Sequence, residues 1–444
     1  MPDHCAIDFG TSNSAIVLPR GDGVELVELE PGFATMPTAV FYRADGPAHA
    51  AKPDRDYGRA AIAAYVDGHD GRLMRSMKSI LGSSLAEQAT DVGGGRSVRY
   101  LDVITGYLRH LRRLAEARAM APLRRAVLGR PVFFVDDDPA RDARAAASLA
   151  AAAQAVGFEE VHFQFEPIAA ALAFEAGVQK DKLVLVADIG GGTSDFSLVQ
   201  VGPGRRGRLD RRDDILANHG VHVAGTDFDR RLELAAVLPL AGYGALGPAR
   251  DGAAAREVPS GLYFDLATWH LINTAYAPAR VAEWRGMRRW FADPVLHQRL
   301  MRILEQRLGH ALAAAAEQAK IEVALHGHAE LRLDSLEPGL RASVDEARTA
   351  EALETDLAQI VAAAAETVRQ AGVAPSRVQA LFFTGGSTGL DALVDRIAAA
   401  FPSAASVRGD RFASVAQGLG LHARRLFSAG AVRSGGPAGA PAAA

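Results

Sequence analysis

Two stretches of this chain are near copies of one another. Residues 5–18 read CAIDFGTSNSAIVL and residues 186–199 read VADIGGGTSDFSLV. Each is an apolar run, an Asp, a glycine-bearing turn with a Thr, and a second apolar run, the pattern of a strand, a tight turn and a strand. Such a turn exposes consecutive backbone N–H groups, which form a concavity for anionic oxygens. Gly190, Gly191 and Gly192 keep side chains off that backbone. A lone carboxylate beside a phosphate is repulsive, so Asp8 and Asp188 imply a Mg2+ ion held through its waters. Thr11 and Thr193 add hydroxyl groups, and Gly10, Ser12 and Asn13 complete the first turn. Two matched copies predict two lobes that face each other and grip one metal–triphosphate from opposite sides.

Composition narrows the remaining possibilities. The 444 residues are 49% hydrophobic, enough for a large core and for several lobes. The 49 basic and 52 acidic side chains leave a formal charge of −3, with no bulk attraction for nucleic acid or an anionic membrane. A single cysteine, Cys5, fits a reducing compartment. No leader-like segment precedes the first strand, and no apolar run approaches the ~20 residues of a span. The expectation is a cytoplasmic protein with neither nucleic acid nor membrane as partner. Only five lysines occur (Lys52, Lys78, Lys180, Lys182 and Lys320), so a lysine marks a place where the drift to arginine did not prevail.

Periodicity sketches the elements around the two turns. Strands are expected at 6–8, 14–18, 24–29, 38–42, 124–135, 161–165 and 377–383. Helical spacing covers 57–69 and 101–119, the latter capped by Asp102. The acidic run Asp136-Asp137-Asp138 followed by Pro139 launches an alanine-rich helix to about 156, and Glu166-Pro167 launches another to 176. The polar, basic stretch 202–214 reads as a hairpin tip. A mostly helical region holds all three tryptophans, Trp269, Trp284 and Trp290. The aromatic, basic segment 262–291 within it reads as the core of an outer subdomain, with a partner surface as the other reading. Beyond about 428 the Gly/Ala/Pro tail is expected to be disordered.

An ordered set of segments resembles the nucleotide-binding domain of the DnaK-type heat-shock chaperones, within the actin-like ATPase superfamily. IDFGTSNSA (7–15) and VADIGGGTSDFSLV resemble the family's two phosphate motifs, and FEPIAAALAFEAG (165–177) its first connecting helix. GTDFDRRL (225–232), FFTGGSTGLDAL (382–393) and SVAQGLGL (414–421) are similar to a further family segment, the adenosine motif and the second connecting helix. The resemblance implies an α/β, two-lobed actin-like ATPase fold of duplicated ribonuclease-H-like lobes, each with an inserted subdomain. The first lobe is expected at 1–180 with its insert at about 43–100. The second is expected at 181–427 with its insert at about 225–325, followed by the tail at 428–444.

The same resemblance assigns roles. Asp8 and Asp188 hold the hydrated metal, and Thr11 and Thr193 lie near the β- and γ-phosphates. Glu166 and Asp195 position the attacking water, which is compatible with phosphoryl transfer by positioning and charge neutralisation. MKSILG (77–82) has the shape of the family's lysine segment and puts Lys78 at the γ-phosphate, where a compact ammonium suits the task. Gly10, Ser12, Asn13, Gly190, Gly191, Gly192, Gly225, Gly385, Gly386 and Ser387 cradle the nucleotide, with Glu317 and Lys320 at the ribose and base. ATP or ADP and Mg2+ are the implied cofactors.

The departures from the pattern are as specific as the matches. Ile321 and Gly389 stand where the family carries arginines that stack on adenine, and Ala413 replaces an acidic residue near the nucleoside. A thinned base clamp, with weaker and less selective adenine binding, is the expectation. No segment for a peptide-binding domain of ~100 residues follows the last helix motif, as in the truncated YegD-like branch. The expected function is slow, Mg-dependent ATP hydrolysis coupled to lobe closure, with a protein partner or co-chaperone of unknown identity. Nucleotide sensing with little hydrolysis is the alternative. A small-molecule kinase on the same fold lacks the acceptor-site Asp it would need.

Overall fold

The computed structural model describes residues 3–44, 54–83, 85–93, 95–135, 138–249, 255–411 and 413–434. Its frame is one sheet built twice. Strand His4–Phe9 pairs antiparallel with Asn13–Arg20, which pairs antiparallel with Gly23–Leu26. On its other edge His4–Phe9 runs parallel to Arg125–Arg130, which runs parallel to Glu160–Phe165. The second sheet repeats this order with Lys182–Ile189, Ser194–Val201 and Ile215–Val221 antiparallel in succession. Ala380–Thr384 and then Ala405–Arg408 continue it in parallel on the far edge. The parallel pairs require crossovers, supplied by helices such as Pro139–Ala155 and Asp391–Ala400.

Helices Glu166–Ala176 and Ser414–Ser434 lie between the two sheets. Ala169, Ala170, Ala416 and Leu419 share one core with Ala6, Val17 and Val127 of the first sheet and Val184, Val186 and Phe382 of the second. Small residues let the helices approach closely: a Cβ at Gly418 would lie 1.9 Å from the carbonyl oxygen of Ala169. This helix pair joins the lobes at the floor of a cleft.

Each lobe carries an insert. In the first, Ala39–Arg43 pairs with Arg55–Tyr57 and Gly71–Arg75, and helix Gly58–Val66 packs on this small sheet. Residues 45–53, inside the expected insert, lie outside the described residues. The second insert is mostly helical and has its own core, including Leu232, Tyr263, Trp284 and Leu300. That core runs on to Val344 through the hairpin His328–Arg332/Arg341–Asp345, past the boundary expected at 325, because the hairpin's alternate apolar residues cover the helices. The inserts meet across the cleft. Trp269 of the second stacks on Tyr65 of the first with ring centroids 5.0 Å apart. The Arg75 guanidinium lies 4.3 Å from the Trp269 ring, and His310 completes the cluster at 5.0 Å. The tryptophans therefore divide, with Trp284 in the core and Trp269 at the junction of the lobes.

Several local expectations are corrected. The strand expected over 124–135 stops at Arg130, because Pro131 has no N–H to continue a strand paired on both sides. Helix Tyr100–Ala119 begins earlier than expected, so Asp102 sits in its first turn and pairs with Arg99 instead of capping. Asp138, ahead of Pro139, is the N-cap that accepts from Arg141 N–H, whereas Asp136 and Asp137 lie outside the described residues. The 202–214 connection is not simply an exposed tip. Arg211 is buried and makes two hydrogen bonds, 3.0 and 2.9 Å, to the buried Glu175 carboxylate, and Arg211 also pairs with Asp214. The last helix continues to Ser434, beyond the expected end at 428, as alanine-rich sequence sustains a helix across a single glycine. Residues 435–444 lie outside the described residues. Among the described residues no helix is long and apolar enough to cross a membrane.

Candidate functional site

A cleft of about 760 Å³ separates the lobes, and every candidate residue from Asp8 to Ser387 lines it. The first turn is fixed from a distance. Thr38 donates from Oγ1 to Gly10 O at 2.8 Å and from its backbone N–H to Ser12 O at 2.9 Å. Gly10 is required by the turn itself, since a Cβ there would lie 2.2 Å from Asn13 O. The second turn is anchored through its carbonyls. Ser387 Oγ donates to Gly190 O at 2.7 Å, and Thr226 donates to Gly191 O from both backbone and side chain. Gly385, at φ +88°, brings a third turn so close that a Cβ would meet Ile189 O at 2.4 Å and Asp188 Oδ1 at 2.8 Å.

The two phosphate-type turns face each other at close range. A Cβ at Gly191 would lie 2.6 Å from Ser12 Oγ, so this glycine admits the opposite lobe as well as any ligand. Gly192 faces open space, with nothing within 4 Å of its would-be Cβ. The duplicated turns thus meet, as the sequence repeat predicts.

Beneath them lies a charge cluster walled in by the cleft, with Asp8, Lys78, Glu166 and Asp188 partly buried. Asp188 and Asp195 are direct cross-strand partners, and Asp8 comes from the equivalent strand of the other lobe. Lys78 donates from Nζ to Glu166 Oε1 at 2.5 Å. Burial raises the Asp8 carboxyl to about 7, aided by repulsion from Glu166 and opposed by Lys78. Burial raises Asp188 to about 8, with Asp195, Glu166 and Asp8 all pushing the same way. Asp195 is also raised by burial, against a hydrogen bond from Thr193. Burial alone would lower Lys78, but Glu166 and Asp8 outweigh it and hold the ammonium charged. Among the described residues no three acidic, His or Cys side chains converge as a direct metal cage. Hard oxygen donors crowded at this spacing suit a cation that keeps its own waters.

Helix Gly309–His326 supplies the other end of the cleft. Glu317, Lys320 and Ile321 fall on one face at helical spacing. Lys320 Nζ lies 2.6 Å from Asp229 Oδ1, an ion pair not aligned as a hydrogen bond to that oxygen, and donates to Gly225 O at 3.2 Å. Ile321 is exposed toward the cleft. Ala413 is buried and does not line it, whereas Arg411, two residues before, does. Thr38, buried behind the first turn, and Arg411, which lines the cleft, are among the residues that sequence reasoning missed.

A duplicated order of five strands in two sheets, a helix pair between them and facing glycine turns define a two-lobed protein of the actin-like ATPase fold. The family model described as Hsp70 protein matches residues 5–236, just over half of the 444-residue chain. The chain belongs to the Hsp70 family. It is 29% identical over 245 residues to a chaperone protein dnaK of Cyanophora paradoxa, covering 51% of this chain and 36% of that protein. It is 30% identical over 231 residues to a chaperone protein DnaK of Thermotoga neapolitana, covering 51% of this chain and 34% of that protein. The match thus spans about a third of the length of these relatives.

Proposed function

We propose that the cleft binds Mg-ATP and hydrolyses it slowly, as a chaperone-type ATPase whose lobes close on the nucleotide. The observation that carries this reading is the meeting of the two turns at Ser12 and Gly191, above the Lys78–Glu166 pair. Backbone N–H groups of both turns receive the phosphates, Thr11 and Thr193 add hydroxyls, and Lys78 carries the positive charge for the terminal phosphate. Asp8 and Asp188 hold the hydrated Mg2+, whose chemistry is to neutralise phosphate charge. Glu166 accepts a hydrogen bond from Lys78. A terminal phosphate drawing the ammonium away leaves the Glu166 carboxylate free, with Asp195, to orient water for in-line attack. Glu317 and Lys320 lie toward the ribose. The family membership and the matching of chaperone relatives support the same reading, which extends to a protein partner or co-chaperone and to a cytoplasmic setting.

The test is calorimetric binding and turnover of Mg-ATP for wild type, Lys78→Ala and Asp188→Asn. Lys78→Ala is expected to bind and to lose turnover by roughly 100-fold or more. Asp188→Asn is expected to lose Mg2+-dependent affinity by roughly 10–100-fold. Wild type that binds no Mg-ATP, or variants that match it in both assays, overturns the assignment.

A further inference from the structure

The resemblance to the chaperone family implies a gap at Gly389, where that family carries a stacking arginine and this chain has none. The structure fills that gap from elsewhere in the chain. A Cβ built on Gly389 would lie 2.1 Å from the Nη1 of Arg411 and 3.4 Å from its Cζ. The guanidinium of Arg411 therefore passes directly over the Gly389 backbone, through the space a side chain at 389 would take. Its own backbone is tied to the same turn, since Gly385 N–H donates to Arg411 O at 3.0 Å. Ala324, one helical turn beyond Ile321, borders the same spot at 3.8 Å from that Cβ position. Arg411 and Ile321 both line the cleft.

We infer that Arg411 is the base-stacking residue of this cleft, its guanidinium forming a face for a purine beside the apolar surface of Ile321. This rests on the nucleotide-binding reading above. Three features single the residue out. Among the described residues Arg411 makes no ion pair and no side-chain hydrogen bond, although nearby Arg408 is held by Asp391. A planar cation without a carboxylate is suited to an aromatic face. The glycine at 389 is what gives it room, so Gly389 and Arg411 act as one unit. On this inference the base clamp is thinned at one of its two arginines only. The physical reason is that spatial equivalence does not require the same position in the chain.

The unit has a distinctive test. Arg411→Ala should weaken adenosine and Mg-ATP by the same factor, about 3- to 30-fold, while inorganic tripolyphosphate binds as to wild type. Gly389→Arg alone should bring no gain, because the new side chain displaces Arg411 from the same space. Combined with Arg411→Ala, it should restore adenosine affinity to near the wild-type value. Calorimetry with these three ligands separates the outcomes. Loss confined to tripolyphosphate and Mg-ATP, with adenosine unchanged, would make Arg411 a phosphate contact and overturn the proposal. Full adenosine affinity in Arg411→Ala overturns it alone, whereas a wild type that binds no nucleotide removes the reading beneath it. Failure of the combined variant to recover, with melting temperatures matching wild type, also counts against it.

Discussion

At the scale of single residues the molecule buries several carboxyls outside the phosphate cluster, and one of them keeps an oxygen without a partner among the described residues. Glu233 is buried in the second insert, and its Oε1 has no hydrogen-bond partner among the described residues. Burial, reinforced by Asp229, raises its titration well above the ordinary 4.5. Such a group contributes stability in its neutral form below pH 4.5 and loses that contribution as pH rises through the raised folded value. Glu233→Gln, which cannot ionise, should therefore raise the melting temperature at pH 8 and leave it nearly unchanged at pH 4.5. The gain expected at the higher pH is on the order of 1 kcal/mol or more. Denaturation of the nucleotide-free protein at the two pH values decides it, and an equal shift at both would assign the effect to packing. The acidic residues of the cleft were easier to read than this one. Asp8, Asp188, Glu166 and Asp195 each stand in a contiguous motif whose turn or helix start is visible in the neighbouring letters. Thr38 and Arg411 were not legible, because they reach Gly10 and Gly389 from 28 and 22 residues away. No local pattern encodes a contact at that separation.

At the scale of elements, the crossing helices depend on the absence of a side chain at one place. Gly418 faces the Ala169 backbone, and the neighbouring helix cannot yield there without moving against both sheets. Gly418→Ala should destabilise by about 1–3 kcal/mol and lower turnover together with it, since Glu166 starts the helix that would be pushed. Chemical denaturation and ATP turnover of the same preparation test this, and an unperturbed variant would mean the helices have slack. The sequence announces both helices through their motifs, yet it misplaces the ends of neighbouring elements. Pro131 ends one strand early, and the 202–214 connection turns inward because Arg211 finds the Glu175 carboxylate. In the latter case a charge pattern that normally signals solvent was overridden by a buried partner on another element.

At the scale of the whole molecule, the repeat of two acidic turns was the reliable guide, since a duplicated strand order follows from it directly. How the two inserts approach one another was not legible. Tyr65, Arg75 and His310 lie on three separate elements and Trp269 in a turn, and only folding brings them together. That cluster has an optical consequence. Trp284 is sealed inside one insert, but the indole of Trp269 is held by partners from both sides of the cleft. Any separation of the inserts unstacks it and exposes it to water, so its ultraviolet emission should shift to longer wavelength and change in intensity. The chain thereby carries an intrinsic gauge of its own opening. Mg-ATP titration should move the emission of wild type, and Trp269→Phe should abolish that response while leaving the background from Trp284 and Trp290. A response that survives in Trp269→Phe would place the moving part elsewhere. With the gauge intact, stopped-flow fluorescence can time the lobes without an attached dye.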